Sequence, residues 1–363
     1  MRYVIPLGVI YAACALVFAL SVVRVTGGSG MQIGTNYVPI QAPAGENPST
    51  ALSRFGGTLY DAYDNPFTGV SYPGRVHLVR FEQANHVGIC GGVAVYTAHS
   101  TCPAEIQAFA ATVPGRWWVL GNELNLTGQD NAARTPQDAL TYAHWWRTIS
   151  GAILTGDPVA KVTWGSVWNF NSASAGNACC VNGSDALAWS IGAYTAHYGS
   201  APNMAAVALS VYPQDVSFGQ ADAQFAAQIN AASAYAASLG KPLVVPEWGV
   251  RRRNFGDCSL LAQSDAQRSA FTTTSLNTMA SKGVLWALFF ASHDQVPPCT
   301  GDTIGAWLIN ADGSLTAEGL ALQAFAAPVV TATATPTRTP TSTPTPAGPT
   351  PTRTATPIAS PTP

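Results

Sequence analysis

Between residues 135 and 292 two kinds of segment alternate, and that alternation restricts the fold more than any other feature of the chain. The runs KVTWGSVW (161–168), AAVALSVYP (205–213), LVVPEWG (243–249) and GVLWALFFAS (283–292) are apolar at nearly every position. A strand that is apolar on both faces must be covered on both faces. The segments between these runs supply the cover. Thr135-Pro136-Gln137-Asp138 reads as a helix start, with a threonine cap, proline at the first position and an acidic residue in the first turn. Tyr142, Trp146, Ile149 and Ile153 recur at helical spacing, and Asp157-Pro158 closes the segment. Phe225, Ile229, Ala232, Ala236 and Leu239 mark one face of a second helix, which Gly240 ends and Pro242 keeps from continuing. A third helix is expected from Ser264 to Met279. Strands and helices in this order predict a parallel sheet covered by helices.

The first half is less regular. MQIGTNY (31–37), RVHLVRF (75–81), GVAVYTA (92–98) and RWWVLGN (116–122) read as strands, which brings the count to eight. The link from Phe81 to Gly92 is short for a full helix, so either one helix is reduced or the count is off by one. Eight parallel strands in roughly 300 residues fit an α/β fold of the closed (β/α)8 type, whose functional groups gather at the C-terminal ends of the strands. A doubly wound open sheet is the alternative. No glycine-rich phosphate loop follows the first strand, which counts against it.

The flanks differ from this central domain, which spans residues 29–328. Tyr3 to Val23 is an uncharged, mostly apolar run between Arg2 and Arg24, so residues 1–28 are expected to direct export. A cleaved signal ending near Ala19-Leu20-Ser21 fits, and so does an uncleaved membrane anchor, since about 20 residues cross a bilayer. Residues 329–363 form a Thr/Pro repeat with no aromatic residue and only Arg338 and Arg353 charged, which predicts an extended, disordered stalk suited to O-glycosylation. Of 17 basic residues four lie in the flanks and none of the 19 acidic ones do, leaving the central domain with 13 against 19, a net charge of −6. That argues against a nucleic-acid partner. Ten tryptophans beside only 10% charged residues suit neutral, polar, ring-shaped ligands met outside the cell. Cys90, Cys102, Cys179, Cys180, Cys258 and Cys299 are an even number in an exported chain and include no CxxC pair, so disulfides are expected and metal ligation is not. Cys258 with Cys299 and Cys90 with Cys102 are the expected pairs. No cofactor is expected, and the protein is expected to be an extracellular monomer.

With a barrel, residues at the strand ends face one mouth. Arg80 ends strand 2, Asn122 and Glu123 end strand 4, Tyr212 ends strand 6, Glu247 ends strand 7, and Trp286 lies within strand 8. Two carboxylates at one cavity are what glycoside hydrolysis needs, one to protonate the leaving oxygen and one to attack or to activate water. The combination of GNELN (121–125) and VVPEWGV (244–250) resembles the clan A glycoside hydrolases, in which an Asn-Glu pair ends strand 4 and a second Glu ends strand 7. The resemblance covers Met31 to Phe325, and GKPLVVPEWG (240–249) is similar to endo-mannanase-like members, although endo-glucanase-like members fit as well. It implies Glu123 as general acid/base, Glu247 as nucleophile, Asn122 as partner of the sugar 2-hydroxyl, Tyr212 as orienter of the nucleophile and Trp286 as sugar platform. Burial beside Trp117, Trp118 and other apolar groups is expected to raise the pKa of Glu123 and keep it protonated, while Arg80 and polar neighbours are expected to keep Glu247 ionised.

Other readings stay open for some of these residues. Arg80 fits a structural salt bridge as well as a charge-assisted bond to the nucleophile. Trp286 fits a core position as well as a platform, and Trp168, Trp248 and Trp307 fit packing as well as stacking on sugars. His77, His99, His197 and His293 show no metal spacing. Asn125-Leu126-Thr127 and Asn182-Gly183-Ser184 are sequons that matter only if the host glycosylates them. Against an enzyme stand a catalytically inactive carbohydrate-binding surface protein, which needs neither both carboxylates nor the Asn, and a stalked adhesin, which needs no polar mouth rich in tryptophan. The substrate class expected is a β-linked polysaccharide or oligosaccharide.

Overall fold

The computed structural model describes residues 30–62, 72–81, 103–213 (apart from 128, 131, 134 and 172–180), 218–253, 259–294 and 306–327. The apolar leader, the Thr/Pro tail, His99, the run 92–98 and all seven cysteines lie outside these residues, and the disulfide expectations lie there with them. Among the described residues no helix is long and apolar enough to cross a membrane.

The strands are β1 (Gln32–Tyr37), β2 (Leu59–Ala62), β3 (Val76–Val79), β4 (Trp117–Leu120), β5 (Lys161–Thr163), β6 (Val167–Trp168), β7 (Val207–Val211), β8 (Leu243–Trp248) and β9 (Trp286–Phe289). The helices are α1 (Pro48–Phe55), α2 (Pro103–Ala110), α3 (Pro136–Gly156), α4 (Gly183–Tyr198), α5 (Phe218–Ser238), α6 (Asp265–Ser281) and α7 (Ala317–Ala326). Every strand pair is parallel. Since β5 and β6 are two pieces of the expected strand 161–168, the nine strands among the described residues fill eight places in a (β/α)8 barrel. The eight differ from those expected in one place. β2 has four residues and an internal Asp61, too short and too polar for a strand pattern, and it takes the second place. Arg80 therefore ends the third strand around the barrel, while Tyr212 and Glu247 keep the sixth and seventh.

Hydrogen bonding runs in two sheets, β2-β1-β9-β8-β7-β6 and β3-β4-β5. Isolated bonds join them. At one seam Tyr60 bridges Arg75, with Tyr60 N–H donating to Gly74 O at 3.1 Å. At the other, Ala205 N–H donates to Val162 O at 2.7 Å and Trp164 N–H to Ala206 O at 3.2 Å. First and last strands pair directly, Gln32 opposite Trp286 through Thr35 opposite Phe289.

Alternation along each strand sorts side chains into two layers. Leu59, Val76, Val119, Ala206, Ala208, Val244, Trp286 and Leu288 point inward and fill the interior as one cluster. Their neighbours Val207, Leu209, Val245, Ala287 and Phe289 point outward into the larger core under the helices. Caps, the expected one at Thr135 and a second at Ser264, fix where those helices start. Thr135 Oγ1 accepts from Asp138 N–H at 3.2 Å, and Ser264 with Gln267 forms a reciprocal capping box. Trp146 ties α3 to the barrel by donating its indole N–H to Thr163 O at 3.0 Å.

β1 and β2 approach so closely that a side chain at Gly34 would place its Cβ 1.7 Å from Leu59 O. Backbone cannot rotate away as a side chain can, so Gly34→Ala is expected to cost about 3 kcal/mol or more. Urea unfolding of the purified variant checks this, and an unchanged midpoint would show that the two strands separate freely.

Candidate active site

Where β8 reaches the mouth its alternation breaks. Ala208 and Ser210 of β7 pair with Val244 and Glu247, and Ala287 and Phe289 of β9 pair with Val245 and Trp248, so β8 carries one extra residue against both neighbours. Pro246 sits in this bulge; it has no N–H to leave unpaired, and its carbonyl accepts from Asn36 Nδ2 at 3.0 Å. Val244 faces the interior and Val245 the helices. Unbroken alternation would turn Glu247 toward the helices. The extra residue instead turns Glu247 to the mouth and Trp248 outward, where it packs between Phe225 and Phe289.

Glu247 is 7% exposed and accepts the Tyr212 hydroxyl on Oε2 at 3.0 Å. Burial pushes its pKa up to about 7, against the lowering effects of the Tyr212 hydroxyl and then of the Arg80 charge. The expectation that Arg80 keeps Glu247 ionised is thus opposed by a larger effect, the loss of water around the carboxylate.

Across the mouth, Asn122 and Glu123 follow β4, with Glu123 in the left-handed region at φ 48°. A non-glycine residue held there needs support from its surroundings. Ser166 supplies it, accepting Glu123 N–H at 3.0 Å and donating to Asn122 Oδ1 at 3.2 Å. Asp130 supports the same turn from the other side. Its Oδ2 accepts the N–H groups of Asn122 at 2.7 Å and Phe81 at 2.6 Å, and its Oδ1 accepts Arg80 Nε at 3.0 Å. Arg80 Nη2 also donates to Gln129 Oε1 at 2.6 Å, which receives Asn122 Nδ2 at 3.3 Å. Burial raises the pKa of Asp130 to about 6 despite the opposing effects of Arg80 and the two N–H groups. Arg80 is therefore a salt-bridge partner of Asp130 by contact, and it also acts on Glu247 through its charge.

Val38, Tyr212, Phe290 and Ala291 form a separate apolar patch at the mouth, with half-buried Trp168 packed on it. Trp286 lies elsewhere. It opens β9 at the opposite end of the barrel, is 0% exposed and packs on Trp117 with ring centroids 5.6 Å apart. The run 283–292 is longer than the strand within it, and its mouth end carries Phe290. Among the other tryptophans Trp248 is core, and Trp307 is covered by the Arg252 guanidinium 3.6 Å from its ring centroid. Only Trp168 of the four reaches the apolar patch.

Several residues here have no motif to announce them, namely Ser166, Asp130, Gln129, Asn169 and Phe290. Ser166 and Asn169 flank the short strand β6 as polar residues, a signal open to sequence reading, whereas Asp130, Gln129 and Phe290 carry none. Asn125, half of one sequon, is 0% exposed and gives its amide to Trp168 O at 2.9 Å and Val181 O at 2.8 Å, so it is not open to glycosylation. His77 and His293 are buried and His197 is exposed, and among the described residues no cluster of His, Cys, Asp or Glu could hold a metal ion.

No protein-family model and no curated protein matches the sequence. Solved structures match in fold. The chain is similar to an endo-β-1,3-glucanase of subgroup I of family GH128 from Amycolatopsis mediterranei in complex with laminaritriose, at 15% identity and TM-score 0.53 over 81% of this chain and 99% of that one. It is also similar to the endo-1,4-β-D-mannanase of Thermotoga petrophila RKU-1, at 15% identity and TM-score 0.50 over 82% and 99%. A GH10 endoxylanase from a sugarcane soil metagenome matches at 11% identity and TM-score 0.54 over 84% and 100%. These likenesses establish the fold, a TIM barrel.

The Glu247 environment carries a stability consequence. A folded-state pKa raised from 4.5 to about 7 means that the native protein holds this proton more tightly than the unfolded chain. The stabilisation is complete below the unfolded value and lost as pH rises through about 7. Glu247→Gln, which cannot ionise, is therefore expected to exceed the parent protein in stability at about pH 8 by on the order of 3 kcal/mol, with the gain gone near pH 4. Thermal melting at both pH values checks it.

Proposed function

We propose that the protein is an exported glycoside hydrolase that cleaves a β-linked polysaccharide or oligosaccharide with retention of anomeric configuration. The observation that carries this reading is the Tyr212–Glu247 pair: a buried carboxylate that a β-bulge turns into the mouth and a phenol holds by one oxygen, at the same barrel end as Asn122 and Glu123. The fold neighbours support it, since two of them are named as enzymes of β-linked glucan and mannan.

In this reading Glu247 attacks the anomeric carbon with its free carboxylate oxygen while Glu123 gives its proton to the departing glycosidic oxygen. Asn122 holds the sugar 2-hydroxyl, and Trp168 with Phe290 offers apolar ring faces to the sugar. Glu123 then takes a proton from water, which attacks the same carbon and releases Glu247. Retention requires the two carboxyl groups about 5 to 5.5 Å apart. The apolar leader and the Thr/Pro composition of residues 329–363 support export to the cell exterior, either free or anchored, and the protein is read as a monomer.

Purified protein screened against glucans, mannans and xylans is expected to release sugar from at least one, with the product's first-formed anomer matching that of the substrate. Glu247→Gln is expected to abolish turnover. Glu123→Gln is expected to keep the first step on an activated aryl glycoside, which needs no proton, and to be rescued by azide. Because the attacking carboxylate must be ionised, kcat/KM is expected to fall on the acid side with an apparent pKa of about 7. An inverted product, or full activity in Glu247→Gln, would falsify the assignment. Binding of a polysaccharide with no turnover would instead favour an inactive carbohydrate-binding protein.

A further inference from the structure

Tyr212 stands one residue beyond β7, and on the side of β6 the pairing of β7 ends at Ser210 opposite Trp168. Its backbone has thus left the regular ladder, although its hydroxyl must reach Glu247 Oε2 to make the 3.0 Å bond. A side chain takes over the role of the missing strand. Asn169 Nδ2 donates to Tyr212 O at 2.8 Å, and Asn169 Oδ1 accepts Tyr212 N–H at 2.9 Å. One carboxamide thereby satisfies both backbone groups of one residue, as a neighbouring strand would. Asn169 is itself fixed, 2% exposed, with its own N–H on Ser210 O at 2.9 Å. Its φ of 44° lies in the left-handed region, which asparagine tolerates better than most residues.

The device occurs twice in series. Asn125 accepts Trp168 N–H on Oδ1 at 2.7 Å and donates to Trp168 O at 2.9 Å. Asn125 follows β4 and grips the last residue of β6; Asn169 follows β6 and grips the residue after β7. The first clamp presents an indole to the mouth and the second presents a phenol.

We propose that Asn169 is a positioning residue whose carboxamide, by gripping both backbone groups of Tyr212, fixes the hydroxyl that Tyr212 donates to Glu247. The kinetic part of this proposal rests on the glycoside hydrolase reading; the geometric part does not. Among the described residues the Tyr212 hydroxyl from beyond β7 and the Arg80 guanidinium from the end of β3 lower the Glu247 pKa against its burial, and the carboxyl group of Glu123 stands across the mouth. Asn169 touches neither Glu247 nor Arg80 through any bond described above, so its influence passes through Tyr212.

The full-length protein is compared with Asn169→Gly, which keeps the left-handed backbone and removes both bonds, with Asn169→Asp, which keeps the acceptor alone, with Tyr212→Phe, and with Asn169→Gly combined with Tyr212→Phe. Asn169→Gly is expected to lower kcat about tenfold with KM changed less than about twofold, the effect of one hydrogen bond to a charged group. The acid limb of its kcat/KM profile should move up by about one pH unit, in the direction that Tyr212→Phe moves it. Asn169→Asp is expected to fall between Asn169→Gly and the parent. The double variant should be no worse than Tyr212→Phe alone, because a residue acting only through Tyr212 has nothing left to act on. Losses that multiply in the double variant would overturn the proposal, since a general loosening of the fold adds to Tyr212→Phe. Carbon-13 NMR titration of the Glu247 carboxyl in the same set separates this proposal from the enzyme reading. An upward shift in Asn169→Gly supports the clamp even if no glycan is cleaved, and an unmoved titration beside a moved one in Tyr212→Phe refutes it. Should Asn169→Gly melt before it can be titrated, Asn169→Ser, which adds no charge and is too short to hold both backbone groups, carries the same comparison.

Discussion

A parallel barrel whose interior is packed with side chains has only one place to put polar chemistry. Ala206, Ala208, Val244 and Leu288 fill the sheet with apolar side chains, so inward-pointing polar groups gather toward the C-terminal ends of the strands. The residues beyond β3, β4 and β7 obey that rule, and their side chains meet at the mouth because alternation brings them there. β8 brings its side chain there by another route. It is still within its strand when its carboxylate is needed, and the one-residue bulge at Pro246 reverses the faces just before Glu247. The polarity of the mouth thus depends on where strands end and, once, on where a strand miscounts.

Carboxylates in such a place cost free energy, and the site distributes that cost unevenly. Asp130 receives two backbone N–H groups and a guanidinium, yet burial still holds its proton up to about pH 6. Glu247 receives one phenol and the more distant field of Arg80, and its proton is held to about pH 7. One cation serves both, by contact with Asp130 and at longer range with Glu247. The better-supported anion is the one that braces the Asn122–Glu123 turn. The less-supported one is the candidate nucleophile, and an under-solvated anion is the more reactive toward carbon.

Much of this was legible from the residues. Thr135-Pro136 fixes the start of α3 because a cap is a local device, and the runs 205–213 and 243–249 contain strands because few other arrangements cover two apolar faces. LYDA in β2 was not legible, since four residues carry no period, and its omission moved Arg80 one place around the barrel. Trp286 shows a different gap: a run of apolar residues does not say where the strand inside it begins, and so which end a tryptophan occupies. The pairing of GNELN with PEWG pointed to Asn122, Glu123 and Glu247, whereas Ser166, Asp130 and Asn169 act through backbone groups, which leave no trace in composition. Even Pro246, in plain sight within PEWG, reads as a break in a strand until both neighbouring registers are known.

The division of the ladder into two sheets bears on how the mouth holds its shape. Arg80, Asn122 and Glu123 ride on the three-stranded sheet, and Tyr212 and Glu247 ride on the six-stranded one. No continuous ladder therefore sets the gap between the two glutamates. It is spanned by isolated links, the Tyr60–Arg75 bridge on one side and on the other the pair of bonds at Val162 and Trp164, with Ser166 and Asn125 reaching across the interruption between β5 and β6. The two sheets still pack as one body, because Val76 and Val119 of the smaller share one buried cluster with Leu59, Ala208 and Val244 of the larger. The register across the mouth therefore rests on a few seam bonds and on interior packing, not on an unbroken run of strand pairing.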